Sequence, residues 1–283
     1  MIEILIVLGL AWILAAITQD LKSREVANWT NFSLIIFALV VRLFYSVFAS
    51  DYSYFLFGLF GLGIFYVLAH LFYFVKLFAG GDAKLMIALG AIIPFASTFY
   101  ENTLILFVFT FSLLVAGALY SIVYSGVLVL QNKKAYQKEF RKVFENNKGI
   151  VFFCFFVAIL LLLIPLFSGF YEFVFIPLIV IIFPFLYIYL KAVENACLIR
   201  RVSIDNLTIG DWLVKDIKVK NKVIEAKWDG LQENELRYLK RNYDKKVLVR
   251  YGIPFTPSFL IAFLVIIAIK YLGNSDWGFW QFF

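Results

Sequence analysis

Ala79-Gly80-Gly81-Asp82-Ala83-Lys84-Leu85-Met86-Ile87-Ala88-Leu89-Gly90-Ala91-Ile92-Ile93-Pro94-Phe95 is the stretch on which the topology of this chain turns. Its strictly apolar part, 85–95, has only 11 residues, whereas a helix needs roughly 17 to 25 to cross a hydrocarbon core of about 30 Å. Seven other apolar runs surround it, at 4–17, 32–49, 54–75, 104–130, 149–167, 173–190 and 255–272. The first reaches spanning length once Met1, Ile2, Thr18 and Gln19 are included. It has no small-residue cleavage site, so a retained helix is expected in place of a removed signal peptide. The short run crosses only if it extends to Tyr100.

Basic residues decide whether it does, because Lys and Arg collect on the cytoplasmic side and each crossing flips the side of every later loop. With eight crossings, all 24 loop cations fall on one side: Lys22 and Arg24, Lys76 and Lys84, six at 133–148 and fourteen at 191–250. Without the fourth crossing the split is 20 to 4. Eight crossings are therefore expected. Glu3, Asp51, Glu101, Glu172 and Asp276 then all fall on the opposite, extracytoplasmic side, as do both termini.

Composition agrees. Of 283 residues, 63% are hydrophobic and 16% charged, against roughly 45 to 50% apolar in soluble chains. A water-facing shell that thin cannot cover so much apolar surface, which excludes a soluble enzyme, a disordered chain and a secreted disulfide scaffold. The net charge of +7 is absorbed by topology, so no nucleic acid is called for. Cys154 and Cys197 offer neither zinc-site spacing nor a disulfide framework. The expected fold is an all-α polytopic membrane protein of about eight transmembrane helices, the fourth short, with a small α+β cytoplasmic domain before the last helix.

That soluble part occupies 193–253. Ile217, Val219, Val223 and Ile224 flanking Lys220 to Lys222 predict a hairpin, Leu231, Leu236 and Leu239 an amphipathic helix, and 247–249 a strand. The remaining divisions are a five-helix membrane core at 1–130, a basic cytoplasmic connector at 131–148 that can also touch anionic lipid head groups, an added transmembrane hairpin at 149–192, and a last helix with an extracytoplasmic tail at 254–283.

Ionisable groups at the ends of apolar helices are the first place to look for chemistry. On the cytoplasmic side two acids qualify: Asp20, at the end of the first run, and Asp82, at the entrance to the fourth. Charge counting puts them at one membrane level although 62 residues separate them. Two carboxylates within about 3 to 5 Å share a proton, so one can activate a water while the other polarises a peptide carbonyl. Gly80 and Gly81, without a Cβ, suit an unusual turn or the close approach of a second backbone, and Asp82 is placed to cap the helix that follows. Standing alone, either acid reads as a solvated helix end or an N-cap. His70 reads as a residue hydrogen-bonded within the bundle, and Gly210-Asp211 as a turn in the soluble part. The 34 Phe and 16 Tyr read as packing and lipid-facing residues.

The segment Asp20-Leu21-Lys22-Ser23-Arg24-Glu25-Val26-Ala27-Asn28, with Gly80-Gly81-Asp82-Ala83-Lys84-Leu85-Met86, resembles the prepilin and preflagellin peptidases, membrane aspartic proteases of the GxGD type, in their archaeal branch. The resemblance implies Asp20 and Asp82 as the catalytic pair, with Gly80, Gly81, Lys84 and Asn28 in support and neither metal nor organic cofactor. It departs at two positions: Ala79 stands for the first motif glycine and Ala27 for a proline. The cysteine pairs of the bacterial zinc-binding loop are absent, and the 149–190 hairpin has no counterpart in the family pattern. The match is best over 1–130 and looser over 207–272.

By that resemblance the substrates would be precursors of type IV pilins or archaellins, with a basic leader and an apolar helix, cut at the cytoplasmic face of the cell membrane. Three rivals stand beside this reading. Presenilin-like proteases need a Tyr-Asp pair inside a run, which this chain lacks. A cation-coupled transporter should carry charges in several runs, and only Arg42 and His70 lie deep in one. A catalytically silent membrane scaffold of the same fold is the third.

Overall fold

The structure, a computed structural model, describes residues 1–169, 171–219 and 222–272. In chain order the helices are α1 (Ile2–Ser23), α2 (Asn28–Ala49), α3 (Ser53–Phe74), α4 (Gly80–Gly90), α5 (Phe99–Gln131), α6 (Lys133–Ser168), α7 (Phe175–Val193), α8 (Glu233–Asn242) and α9 (Thr256–Leu272). The strands are β1 (Ile199–Val202), β2 (Trp212–Leu213), β3 (Ile217–Val219), β4 (Lys222–Ile224) and β5 (Val247–Arg250). The chain divides into two compact units, Met1–Val123 with Ile253–Phe283, and Tyr124–Gly252.

Among the described residues, six helices are long and apolar enough to cross a membrane: α1, α2, α3, α5, α6 and α7 with the π-helical turn that follows it. α9 is shorter, at 17 residues. α4 has 11, about 16 Å of helix, so of the eight expected crossings, the fourth of them short, six are long helices while α4 and α9 fall below spanning length. Apolar side chains such as Phe44, Phe48, Phe74 and Phe153 stand exposed on the long helices, as lipid-facing residues must. This is a multi-pass membrane protein. Asp276 and the tail assigned to the extracytoplasmic side lie outside the described residues.

In the first unit α1, α2, α3, α4 and α9 pack around a core of Leu5, Ile13, Leu34, Phe65, Leu85, Met86, Leu89, Phe109, Phe259 and Phe263. Every one of these side chains is fully buried. α4 is the most enclosed helix, flanked by α2 and α3. It does not extend to Tyr100. It stops at Gly90 and the chain continues without helix until α5 begins at Phe99. Carbonyls freed there would be costly in apolar surroundings, and Arg42 satisfies them. Its Nε donates to the Ala91 carbonyl at 2.7 Å, and its Nη2 to Ile92 at 3.0 Å and Pro94 at 2.6 Å. Nη1 adds the Tyr54 carbonyl at 2.9 Å. The one cation deep in the second run is thus a main-chain clamp on the end of the short helix.

In the second unit, α6 and α7 form an antiparallel hairpin, consistent with their short connection. The stretch expected as a connector is helical throughout: Lys133 begins α6, and Phe140, Val143 and Phe144 pack with Val151 and Ile188. Those three apolar residues, spaced i, i+3, i+4, make the helical face hidden among the lysines. The small soluble fold has the predicted parts. β3 pairs with β4 in the register Ile217 to Ile224, α8 buries Leu236 and Leu239, and β5 runs between β1 and β2 in an antiparallel sheet.

Candidate active site

Asp20 lies in the last turn of α1, whose end is marked by Arg24 in the left-handed region with its N–H returned to the Asp20 carbonyl at 2.8 Å. The loop that follows is anchored by Gln19. Its Oε1 accepts the Ala27 N–H at 2.9 Å and its Nε2 donates to Thr30 Oγ1 at 2.9 Å. Ala27 is the N-cap of α2 with φ −62°, the angle a proline ring would impose. The backbone here keeps the conformation a proline would give, and Ala27 gains an N–H that a proline would lack.

Asp82 lies in the first turn of α4. The helix starts three residues earlier than a cap at Asp82 would place it: Ala79 is the N-cap and Asp82 is the third helical residue. Its carboxylate reaches back to accept the Ala79 backbone N–H, the returning half of a capping box. Ala79 has φ −73°, a value any L-residue adopts, so the methyl in place of the first motif glycine is accommodated. Gly80 and Gly81 are ordinary helical residues, since positive φ among the described glycines occurs only at Gly169, Gly210 and Gly230. The expected unusual turn is therefore absent, and helix propagation from Ala79 explains it. Val26 lies beside the turn at ordinary packing distance: a Cβ on Gly81 would stand 3.4 Å from its backbone nitrogen.

Both aspartates are buried in the first unit, Asp20 at 7% and Asp82 at 9% exposure, and the charge of Asp20 acts on the Asp82 carboxyl. The supporting residues also meet. Lys84 Nζ donates to Asn28 Oδ1 at 2.7 Å, tying the start of α2 to the first turns of α4. A cavity of about 760 Å³ in the same unit is lined by Arg42, Tyr54, Pro94, Glu101 and Lys270, not by the aspartates.

Sequence reading missed Thr256. Its backbone N–H and its Oγ1 both donate to Asp20 Oδ2, at 3.2 and 2.8 Å, across 236 residues. The available signal was a polar residue between Pro254 and Pro257 at the entrance to the last apolar run. Gln19, directly before Asp20, was also passed over. His70 hydrogen-bonds through Nδ1 to the Tyr66 carbonyl at 2.8 Å. Gly210-Asp211 is a turn: Gly210 has φ +91° and the Asp211 carboxylate accepts the Thr208 N–H at 2.8 Å.

Residues 7–123 match the type IV leader peptidase family, and both aspartates fall inside that stretch. The preflagellin peptidase of Methanococcus maripaludis (strain C6) is 30% identical over 88 residues, which cover 31% of this chain and 38% of the relative. The preflagellin peptidase of Methanocaldococcus jannaschii is 34% identical over 88 residues, covering 31% and 37%. The chain thus spans less than two fifths of the length of these curated relatives. No solved structure matches it.

Proposed function

We propose that this protein is a membrane aspartic endopeptidase that removes the basic leader from prepilin-like or preflagellin precursors at the cytoplasmic face, with Asp20 and Asp82 activating the water. The observation that supports the reading is that Asp20 and Asp82, 62 residues apart in sequence, are both buried in one unit, with the charge of Asp20 bearing on the Asp82 carboxyl. The family match over residues 7–123 supports leader cleavage.

In the reaction, one carboxylate takes a proton from water as its oxygen adds to the carbonyl carbon of the scissile bond. The protonated partner donates to the carbonyl oxygen. Collapse of the tetrahedral adduct breaks the C–N bond, and the amine leaves with a proton. An extended leader would lie against the first turn of α4, where Gly80 and Gly81 carry no side chains of their own, and the apolar helix of the precursor would rest against the bundle from the lipid. The cytoplasmic placement rests on the clustering of loop cations.

The transporter reading is weakened by the same structure. Arg42 is held by four main-chain carbonyls and His70 by a fifth, so neither is a relay group waiting for an ion. The test is co-expression with a candidate precursor, scoring leader removal for wild type, Asp20→Ala, Asp82→Ala and Asp211→Ala. Loss of cleavage in the first two variants and retention in the third is expected. Cleavage that survives loss of Asp20 or Asp82 sinks the mechanism, and loss with Asp211→Ala at normal protein level means the wrong pair was chosen.

A further inference from the structure

Asp20 sits in the C-terminal turn of α1, the negative end of that helix's dipole and a poor place for a carboxylate. What faces it is the opposite kind of helix end. Thr256 is the first residue of α9, where backbone N–H groups have no partner within the helix and the dipole favours an anion. Its N–H and hydroxyl converge on a single oxygen, Asp20 Oδ2. Thr256 is itself fully buried, so no bulk water competes for these bonds. Pro257 follows and supplies no N–H of its own.

The start of α9 is in turn held in place. Phe255 and Phe259 pack at a tilt against Phe78, their ring centroids 5.4 and 6.1 Å from its own, and Phe78 lies two residues before Gly80 at the head of α4. Gly117 on α5 is the seat of Phe255: a Cβ there would overlap the phenyl ring. One aromatic cluster therefore joins the segment leading into Asp82 with the segment that grips Asp20.

We propose that Thr256 is the positioning residue of the carboxylate pair. It holds Asp20 Oδ2, which fixes the carboxylate rotation and leaves Oδ1 to take the proton from water. Asp82, which takes one backbone N–H from Ala79, then serves as the acid. This inference rests on the reading of Asp20 and Asp82 as the catalytic pair.

The test uses the full-length protein in detergent micelles with a precursor substrate, all rates normalised to folded, monodisperse protein. Thr256→Val keeps the shape and the backbone N–H but removes the hydroxyl, while Thr256→Ser keeps the hydroxyl. The Val variant should lose about 10- to 100-fold in kcat with KM for the precursor within about twofold, since a hydrogen bond to a charged group has been removed from the transition state. The Ser variant should stay within about threefold of wild type. Wild-type kcat in the Val variant, an effect confined to KM, or equal losses in Val and Ser would each overturn the proposal. Asp20→Asn is run alongside. If it still cleaves, the catalytic pair itself is wrong; if it is dead while Thr256→Val is silent, the pair stands and only the role of Thr256 falls.

Discussion

Lys84 Nζ and Asn28 Oδ1 are 2.7 Å apart, a direct side-chain bond between the two sequence blocks that carry the family resemblance. Both residues are exposed, so the bond contributes little to stability, about 1 kcal/mol or less. Its effect should be on the placement of α4 relative to the start of α2. Lys84→Met and Asn28→Ala are each expected to lower kcat/KM by less than about tenfold, with the double variant no worse than the poorer single. A double-mutant cycle on cleavage rate checks this; simple additivity of the two losses would show that they act apart.

Arg42 should be far more sensitive. Replacing it with Leu leaves the carbonyls of Tyr54, Ala91, Ile92 and Pro94 without that partner in an apolar interior. A loss of at least about 3 kcal/mol is expected. Arg42→Lys should recover only part of it, because an ammonium cannot fork toward four acceptors held on two segments. Thermal unfolding in detergent measures both, and a Lys variant as stable as wild type would contradict the clamp.

The glycines of α3 make a graded set. A Cβ on Gly58 would overlap the Arg42 side chain and one on Gly61 would overlap the Gly90 carbonyl, whereas a Cβ on Gly63 would meet nothing within 4 Å. Ala at 58 or 61 should therefore destabilise by about 1 to 3 kcal/mol, and Ala at 63 should be neutral or slightly stabilising through helix propensity. Three melting curves suffice to rank them.

Gly81→Ala separates folding from substrate docking. Within the protein the added methyl would make ordinary contact with Val26, and the helical φ suits alanine. The melting temperature should be unchanged or raised. If a leader backbone passes over this turn, cleavage should nonetheless fall by more than about tenfold, chiefly through KM. Undiminished cleavage would move the docking path elsewhere.

Much of the site was legible because each block is local. Asp20 closes an apolar run and Asp82 opens one, and both the Asn28 and Lys84 positions follow from short motif spacings. The soluble fold was legible for the same reason: alternation at 217–224 and 247–249 is a period-two signal, and Leu236 with Leu239 a helical one. The 133–148 stretch was misjudged because its three apolar residues are outnumbered by charges. Charge density hides a helical face whose burial comes from a partner helix.

From the sequence alone came the long apolar helices, and with them the expectation that the loop cations share one side and the two aspartates one depth, because partition into lipid is decided by the chain a few residues at a time. The tertiary structure decided what those residues touch. α4 could end at Gly90 only because Arg42, some fifty residues earlier, reaches its freed carbonyls. Asp20 is gripped by Thr256 only because packing of α1 against α9 closes a separation of 236 residues. Such contacts satisfy buried polar groups, and no periodicity or local spacing announces which distant donor will do so.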